Sequence, residues 1–435
     1  MTTEEFRKLF PGLERTVYGK PLVYLDNAAT TQRPRAVLDC LAEAAAAHNA
    51  NIHRAVHALA GEATDLYEGA RRKVAEYLGA EPEEIVFTSG TTAAINLVAQ
   101  SLGAGWPEPK AGQKPATNQN HEPKAGQNPE PKANQNPGTS HSQHSNPGQN
   151  PEILIAESEH HSDIVPWQML AQRIGATIKV LPVAEDGTLR TDLLGSLLTE
   201  RTRIVCAAQI SNVLGLENPI GEIAAAAHKA GALMLVDGAQ GIAHRKPDLK
   251  DVDFYAFSAH KIYGPTGVGV LYARRELLEK MPPVQGGGEM IESVSWTGTT
   301  YAKPPHRFEA GTQNFNSVPA IVPALELLKE APDTGEVFDI VYDALTSDPR
   351  IRLYGSVREL KIPLFSFTVQ GAHHEDLALL LDKMGVAVRS GQMCAEPLMA
   401  RYGVQGMVRA SFAPYNTPAE AEYFVKCLHR AIDML

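Results

Sequence analysis

The chain is 435 residues long, 43% hydrophobic and 21% charged, and its 50 acidic against 40 basic residues leave a net charge of −10. That length exceeds what one hydrophobic core serves and predicts a large domain with a smaller companion, and the composition is far from disordered or fibrous extremes. The acidic balance argues against nucleic acid as a partner, and no apolar run reaches the roughly 18 residues that a membrane span needs.

The N-terminal stretch MTTEEFRKLFPGLER has no apolar leader, so a cytoplasmic protein is expected. From Leu22 to Ala104 short apolar runs alternate with helical stretches, as in EIVFTSG followed by TTAAINLVAQSL. The junction Ser89-Gly90-Thr91-Thr92 offers free backbone N–H groups at the positive end of a helix, a phosphate cradle. Thr91 or Thr92 capping the helix is the competing reading. Residues 106–152 are different: after Trp106 they contain no Val, Ile, Leu, Met, Phe, Tyr or Cys, and EPKAGQ, EPKAGQNP and EPKANQNP repeat imperfectly. A solvated, disordered insert is predicted there. Its histidines His121, His141 and His144 lack the acidic or cysteine spacing of a metal site, and no metal is expected.

Beyond the insert EILIAESEHH, TRIVCAAQIS, ALMLVDGAQ and DFYAFSAHK read as buried strands separated by helical segments such as GEIAAAAHKAG. That alternation predicts an α/β fold on a mainly parallel sheet covered on both faces, with ligands beyond the strands' carboxyl ends. Chemistry-bearing residues fall at those ends. His160 could stack on an aromatic cofactor ring and shuttle protons, and His161 could equally serve. Asp237, after four apolar residues, needs a cationic partner or caps a helix. Lys261 follows a strand and precedes a glycine-rich turn. Lysines are usually solvated, but Ser258 and His260 can donate to a phosphate, and Gly264, Gly267 and Gly269 permit close backbone approach. A desolvated lysine amine there suits Schiff-base chemistry.

From about Ala324 a smaller α+β domain is predicted to run to Leu435, giving a large domain over 24–323 and an N-terminal segment, 1–23, packing with the small one. Arg389 and Arg409 are candidates for a bidentate grip on a substrate carboxylate, or for structural ion pairs. The four cysteines form no CxxC pair, so neither a disulfide framework nor a zinc site is indicated. Cys40, Cys206 and Cys427 fall on helices or an apolar strand. Cys394, in the polar segment SGQMCAEP, is the candidate nucleophile.

Taken together, YLDNAATTQRP, NIHRAVHALA, TSGTTAAINLVAQ, EHHSDIVPWQ, ISNVLGLENPIGEI, VDGAQ, SAHKIYGPTGVGVLY, FEAGTQNF, RSGQMCAEPLM and MVRASFAPYNT resemble the group II cysteine desulfurases. These are the SUF-type branch of the class V aminotransferase family, fold-type I pyridoxal-phosphate enzymes. The resemblance implies a cofactor bonded to Lys261, Asp237 at its ring nitrogen, Gln240 near its phenolic oxygen and His160 on its ring. It implies phosphate contacts from Thr91, Thr92, Ser258 and His260, with Thr312 reaching the cofactor of the other subunit of a homodimer. Asn212 and Arg409 would hold the substrate carboxylate, with Arg54, His57 and Arg389 nearby. The implied reaction converts L-cysteine to L-alanine with a persulfide on Cys394, passed to a SUF E- or U-type acceptor for iron–sulfur cluster assembly.

The chain departs from the family pattern in carrying Gln392 and Met393 where relatives have paired histidines, Gln313 in place of a common proline, a shortened Leu327–Ile351 segment and the insert. A selenocysteine lyase shares the same machinery, and a catalytically silent scaffold protein is the alternative from another class.

Overall fold

The computed structural model describes residues 1–105 and 150–435; the predicted disordered insert lies outside them except at its end. There the expectation is corrected. Glu152 opens a strand and is buried, because its carboxylate is paired with Lys179 at 2.8 Å and with Arg201, and accepts from Thr199. A buried charge is tolerated when it is paired in this way.

Seven strands form the large sheet: β1 (Ile85–Thr88), β2 (Glu152–Ala156), β3 (Thr177–Leu181), β4 (Thr202–Ala208), β5 (Leu233–Asp237), β6 (Phe254–Ser258) and β7 (Gly269–Ala273). Their order is β1-β7-β6-β5-β4-β2-β3, and only β7 runs antiparallel to its neighbours. Parallel neighbours require crossovers: helix Val165–Ile174 joins β2 to β3 and helix Ile220–Lys229 joins β4 to β5. Both faces are covered. Leu154, Val205, Met234 and Phe257 enter one core, and Ile153, Ile155, Ile204, Cys206 and Leu235 the other. Period-two alternation within continuous apolar runs accounts for this division.

A second, wholly antiparallel sheet contains β8 (Ile351–Tyr354), β9 (Leu364–Val369), β10 (Arg389–Gly391) and β11 (Met407–Ser411) in the order β8-β9-β11-β10. Helices Gly335–Ser347, His374–Lys383 and Pro418–Ile432 bury Val341, Leu381 and Phe424 against Phe365 and Phe367. The α/β architecture with a smaller α+β part is thus the one expected. The anticipated boundary at 323/324, however, cuts the helix Ile321–Lys329, whose Ile321 and Leu325 still pack in the large core.

The N-terminal segment touches both parts. Val23–Tyr24 pairs in parallel with Val386–Ala387, and Arg7 meets Glu420 at 2.8 Å. Phe10 packs on Tyr263 and Tyr415 with ring centroids 5.3 and 4.7 Å away. The stretch around Phe10 is therefore wedged beside the segment that carries Lys261. No helix among the described residues is long and apolar enough to cross a membrane.

Candidate active site

The carboxyl ends of β4, β5 and β6 open into a cavity of about 240 Å³ that the small part closes with Arg389, Met393, Cys394 and Arg409. Thr91, Thr92, His160, Asn212, Asp237, Gln240, Ser258, His260 and Lys261 line the same space.

Asp237 ends β5 and is 5% exposed. Burial pushes its carboxyl up from the usual range while the nearby Lys261 amine pulls it back. The helix-cap reading fails, since Asp237 Oδ1 accepts from Ala239 N–H at 2.8 Å within the turn and the next helical residues begin only at Gly241. Lys261 sits one turn past β6, and burial lowers its amine to about 8 against the opposing pull of Asp237. Both shifts follow from desolvation, which disfavours each charged form.

His160 is held down to about 3, by burial first and then by the positive charge of Lys261. Its Nδ1 accepts from Ser162 N–H at 3.0 Å, so in the neutral ring the proton resides on Nε2. His161 takes another part. Its backbone N–H donates to the Cys394 carbonyl at 2.7 Å, and its Nε2 accepts from Glu396 N–H at 3.1 Å. It anchors the cysteine loop and does not line the cavity.

At the far end Ser258 Oγ accepts from Thr91 N–H at 2.8 Å and shares a hydrogen bond with Thr91 Oγ1, while Thr92 Oγ1 pairs with Ser162 Oγ at 2.7 Å. The threonines do not cap their helix; Gly90 holds the cap position. His260, lowered to about 4 by burial, leaves its Nδ1 buried without a partner among the described residues. The glycines play a different part from the one expected. A Cβ on Gly269 would meet the Gly90 backbone at 2.3 Å and one on Gly264 the Ala259 side chain and carbonyl at 2.9 Å, so these glycines let chain approach chain.

Arg409 is 2% exposed and donates to the Asn212 carbonyl at 2.8 Å and to Asp26 Oδ1 at 3.2 Å, leaving Nε buried without a partner among the described residues. Burial lowers it to about 10 against the pull of Asp26. Arg389, half-exposed, faces the other Asp26 oxygen at 4.0 Å. Asn212 donates its amide to the Met393 carbonyl at 2.8 Å, and Gln240 to the Ala28 carbonyl at 2.7 Å. Met393 and Cys394 have φ of 54° and 55°, a left-handed pair of non-glycine residues. Cys206 and Cys427 are buried, whereas Cys394 is partly exposed at the cavity wall.

Three of the expected residues lie elsewhere. Arg54 pairs with Glu289 at 2.9 Å, and His57 caps helix Ala58–Leu78 through Nδ1. Thr312 lines a separate cavity with Tyr67, Ser89 and Gln313. Sequence reasoning also passed over Asp26, the counter-charge to both arginines, and the buried acids Glu159 and Asp163. Glu159, three residues past the apolar strand EILIA, carried a legible signal, whereas Asp163, seven residues past it, did not.

A buried lysine and aspartate at the strand ends of a seven-stranded sheet, facing an arginine and a cysteine from a second part, define a class of carbonyl-cofactor enzyme sites. Residues 23–121 and 139–424 match the aminotransferase class-V family, and the chain belongs to it. A probable cysteine desulfurase of Vibrio cholerae is 40% identical over 444 residues, covering 100% of both chains. The cysteine desulfurase of Cronobacter sakazakii is 43% identical over 439 residues, 98% of this chain and 97% of its own. The crystal structure of the Escherichia coli cysteine desulfurase CsdA (S-sulfonic acid) superposes with a TM-score of 0.82 at 37% identity, covering 100% of this chain and 99% of that one.

Proposed function

We propose that the chain is a pyridoxal-phosphate-dependent cysteine desulfurase that converts L-cysteine to L-alanine and carries the sulfur as a persulfide on Cys394. The observation that carries this reading is the convergence of Lys261, Asp237, Arg409 and Cys394 on one cavity. Cofactor fit is supported by the unpartnered His260 Nδ1 near Thr91, Thr92 and Ser258, which would hold the phosphate, and by the buried carboxylate of Asp237, which would meet the ring nitrogen. Gln240 would face the phenolic oxygen, His160 the ring, and Lys261 would form the covalent link. When bound, the cofactor supplies an electron sink for charge developing on the substrate α-carbon.

The chain's own groups do the rest. Arg409 and Arg389 bind the substrate carboxylate, a match for guanidinium geometry. Lys261, with its amine lowered to about 8, has a substantial neutral fraction and removes the α-proton. His160 stays uncharged, so it adds no positive charge beside that amine. Cys394 Sγ as thiolate attacks the substrate sulfur: a sulfur–sulfur bond forms, and the electron pair of the broken carbon–sulfur bond stays on the β-carbon, which takes a proton to become the methyl group of alanine. Asn212 would join the carboxylate grip after releasing the Met393 carbonyl, so movement of the cysteine loop accompanies turnover.

The finer reading is a SUF-type, group II enzyme serving iron–sulfur assembly in the cytoplasm, acting as a homodimer and delivering sulfur to a SUF E- or U-type acceptor. Thr312, Arg54 and His57, outside this chain's cavity, would then serve the other subunit's site. Lys261 follows a strand of the large sheet and Cys394 a strand of the small one, so the proton-abstracting lysine and the thiol would belong to different parts of the chain. Mass spectrometry after treatment with cysteine tests the proposal: one extra sulfur on the Cys394 peptide is expected, and its absence with alanine still formed overturns it. Parallel assays with selenocysteine separate a desulfurase from a selenocysteine lyase.

A further inference from the structure

Behind the cavity floor lie two carboxyls that the mechanism above leaves unused. Glu159 and Asp163 are both 0% exposed, one at the end of the segment after β2 and the other four residues on. Each has one oxygen occupied. Glu159 Oε1 accepts from Ala208 N–H at 2.7 Å, at the strand end paired in register with Asp237, and Asp163 Oδ1 accepts from Trp167 Nε1 at 2.7 Å. Each has one oxygen left over: Glu159 Oε2 and Asp163 Oδ2 are buried with no donor among the described residues. The two carboxyls interact directly with one another, and burial first, with the charge of Asp237 behind it, drives both upward from the carboxylate range; Glu159 adds to the push on Asp163, whereas Asp163 pulls Glu159 back.

Two adjacent anionic oxygens with no donor would cost several kcal/mol. A single proton placed between them satisfies both, as in other carboxyl pairs that cannot both ionise. We propose that Glu159 and Asp163 share one proton and act together as positioning residues, holding one fixed negative charge behind Asp237. The groups facing this charge are Asp237 of β5, the Ala208 N–H and the Cys206 thiol of β4, and the Trp167 indole, with Lys261 on the other side of Asp237. The charge adds to that of Asp237 and makes the floor a stronger acceptor for a protonated ring nitrogen. This last step rests on the functional reading above; the shared proton does not.

Isosteric variants separate the possibilities, because Glu159→Gln and Asp163→Asn each replace the shared proton by an amide donor and keep one negative charge, whereas the double variant keeps none. In the cofactor-free protein at neutral pH, the infrared carboxylic-acid band of a buried protonated carboxyl is expected in the wild type and absent from each single variant. Persistence of that band in both singles, or its absence from the wild type, overturns the shared proton. In the holoenzyme, the pH at which the visible absorption of the bound cofactor changes is expected to hold within about threefold in proton concentration for the singles and to move about tenfold or more in the double variant. Equal shifts in all three variants, or none in the double, overturn the electrostatic role while leaving the infrared result standing. Retained folding is checked by circular dichroism, and a double variant that does not fold is replaced by Asp163→Asn with Glu159→Met, read in the same way.

Discussion

The floor of the cavity and the loop that carries Cys394 hold their reactive groups by opposite means. Asp237 and Lys261 stand at the ends of strands buried on both faces, where any displacement would break the sheet. Cys394 sits on a loop with two consecutive left-handed residues, a conformation costing about 1–3 kcal/mol per residue. That loop is hung from the large part by three hydrogen bonds, from Asn212 and His161 to the Met393 and Cys394 carbonyls and from Glu396 N–H to His161. The contrast teaches that Asp237 and Lys261 are fixed by the sheet, whereas the Cys394 thiol is held on a strained arm.

Breaking the rigid half has the largest expected effect. Lys261→Ala removes both the covalent link and the base, and alanine formation from cysteine should fall by about 10³-fold or more, with the reducible cofactor linkage lost; borohydride trapping followed by peptide mapping checks it. On the mobile half, Cys394→Ala should keep the cofactor absorbance but lower persulfide and sulfide output to background, read by sulfide release under reductant. Output within a factor of two of wild type would remove the loop from the chemistry.

Arg409→Lys tests the bridge between the halves. Loss of the guanidinium fork should lower kcat/KM by about 10–100-fold, mainly through KM, as measured by steady-state kinetics.

The floor's burial has its own pH signature. With Lys261 lowered to about 8 in the fold and near 10.5 in the unfolded chain, the unfolded chain binds the extra proton between those values, so raising the pH through that window stabilises the folded apoprotein. Relative to Lys261→Met, wild-type stability should rise by on the order of 2 kcal/mol from pH 8 to 10.5, measured by urea unfolding. The smallest effect belongs to His161→Ala. Loss of one hydrogen bond of about 1 kcal/mol should speed alkylation of Cys394 by roughly fivefold, followed by mass spectrometry, without changing the cofactor spectrum.

Much of the site was legible because strand ends are marked in sequence. Apolar runs closed by Asp237, by Ser258 with Lys261, and by the ESEHH segment announce a parallel sheet and its ligand face. The roles within the site were less legible. His160 and His161 are adjacent and identical in type, and only the packing of the loop at 392–396 separates a cavity-lining ring from an anchor. In sequence Gly264 and Gly269 suit a ligand approach, but it is Ala259 and the Gly90 backbone that lie against them. Composition puts Glu152 with the polar insert, and only its long-range pairing with Lys179 and Arg201 makes it the buried start of a strand.

Local periodicity and residue chemistry determined the α/β class and the strand ends, and singled out Lys261 and Cys394 as candidates, since each depends on neighbours a few residues away. The tertiary structure alone decided that residues separated by more than a hundred positions, such as Lys261 and Cys394, share one cavity, and that Asp26 neutralises Arg409. Those relations are set by how two sheets pack on each other, and no stretch of sequence contains both partners.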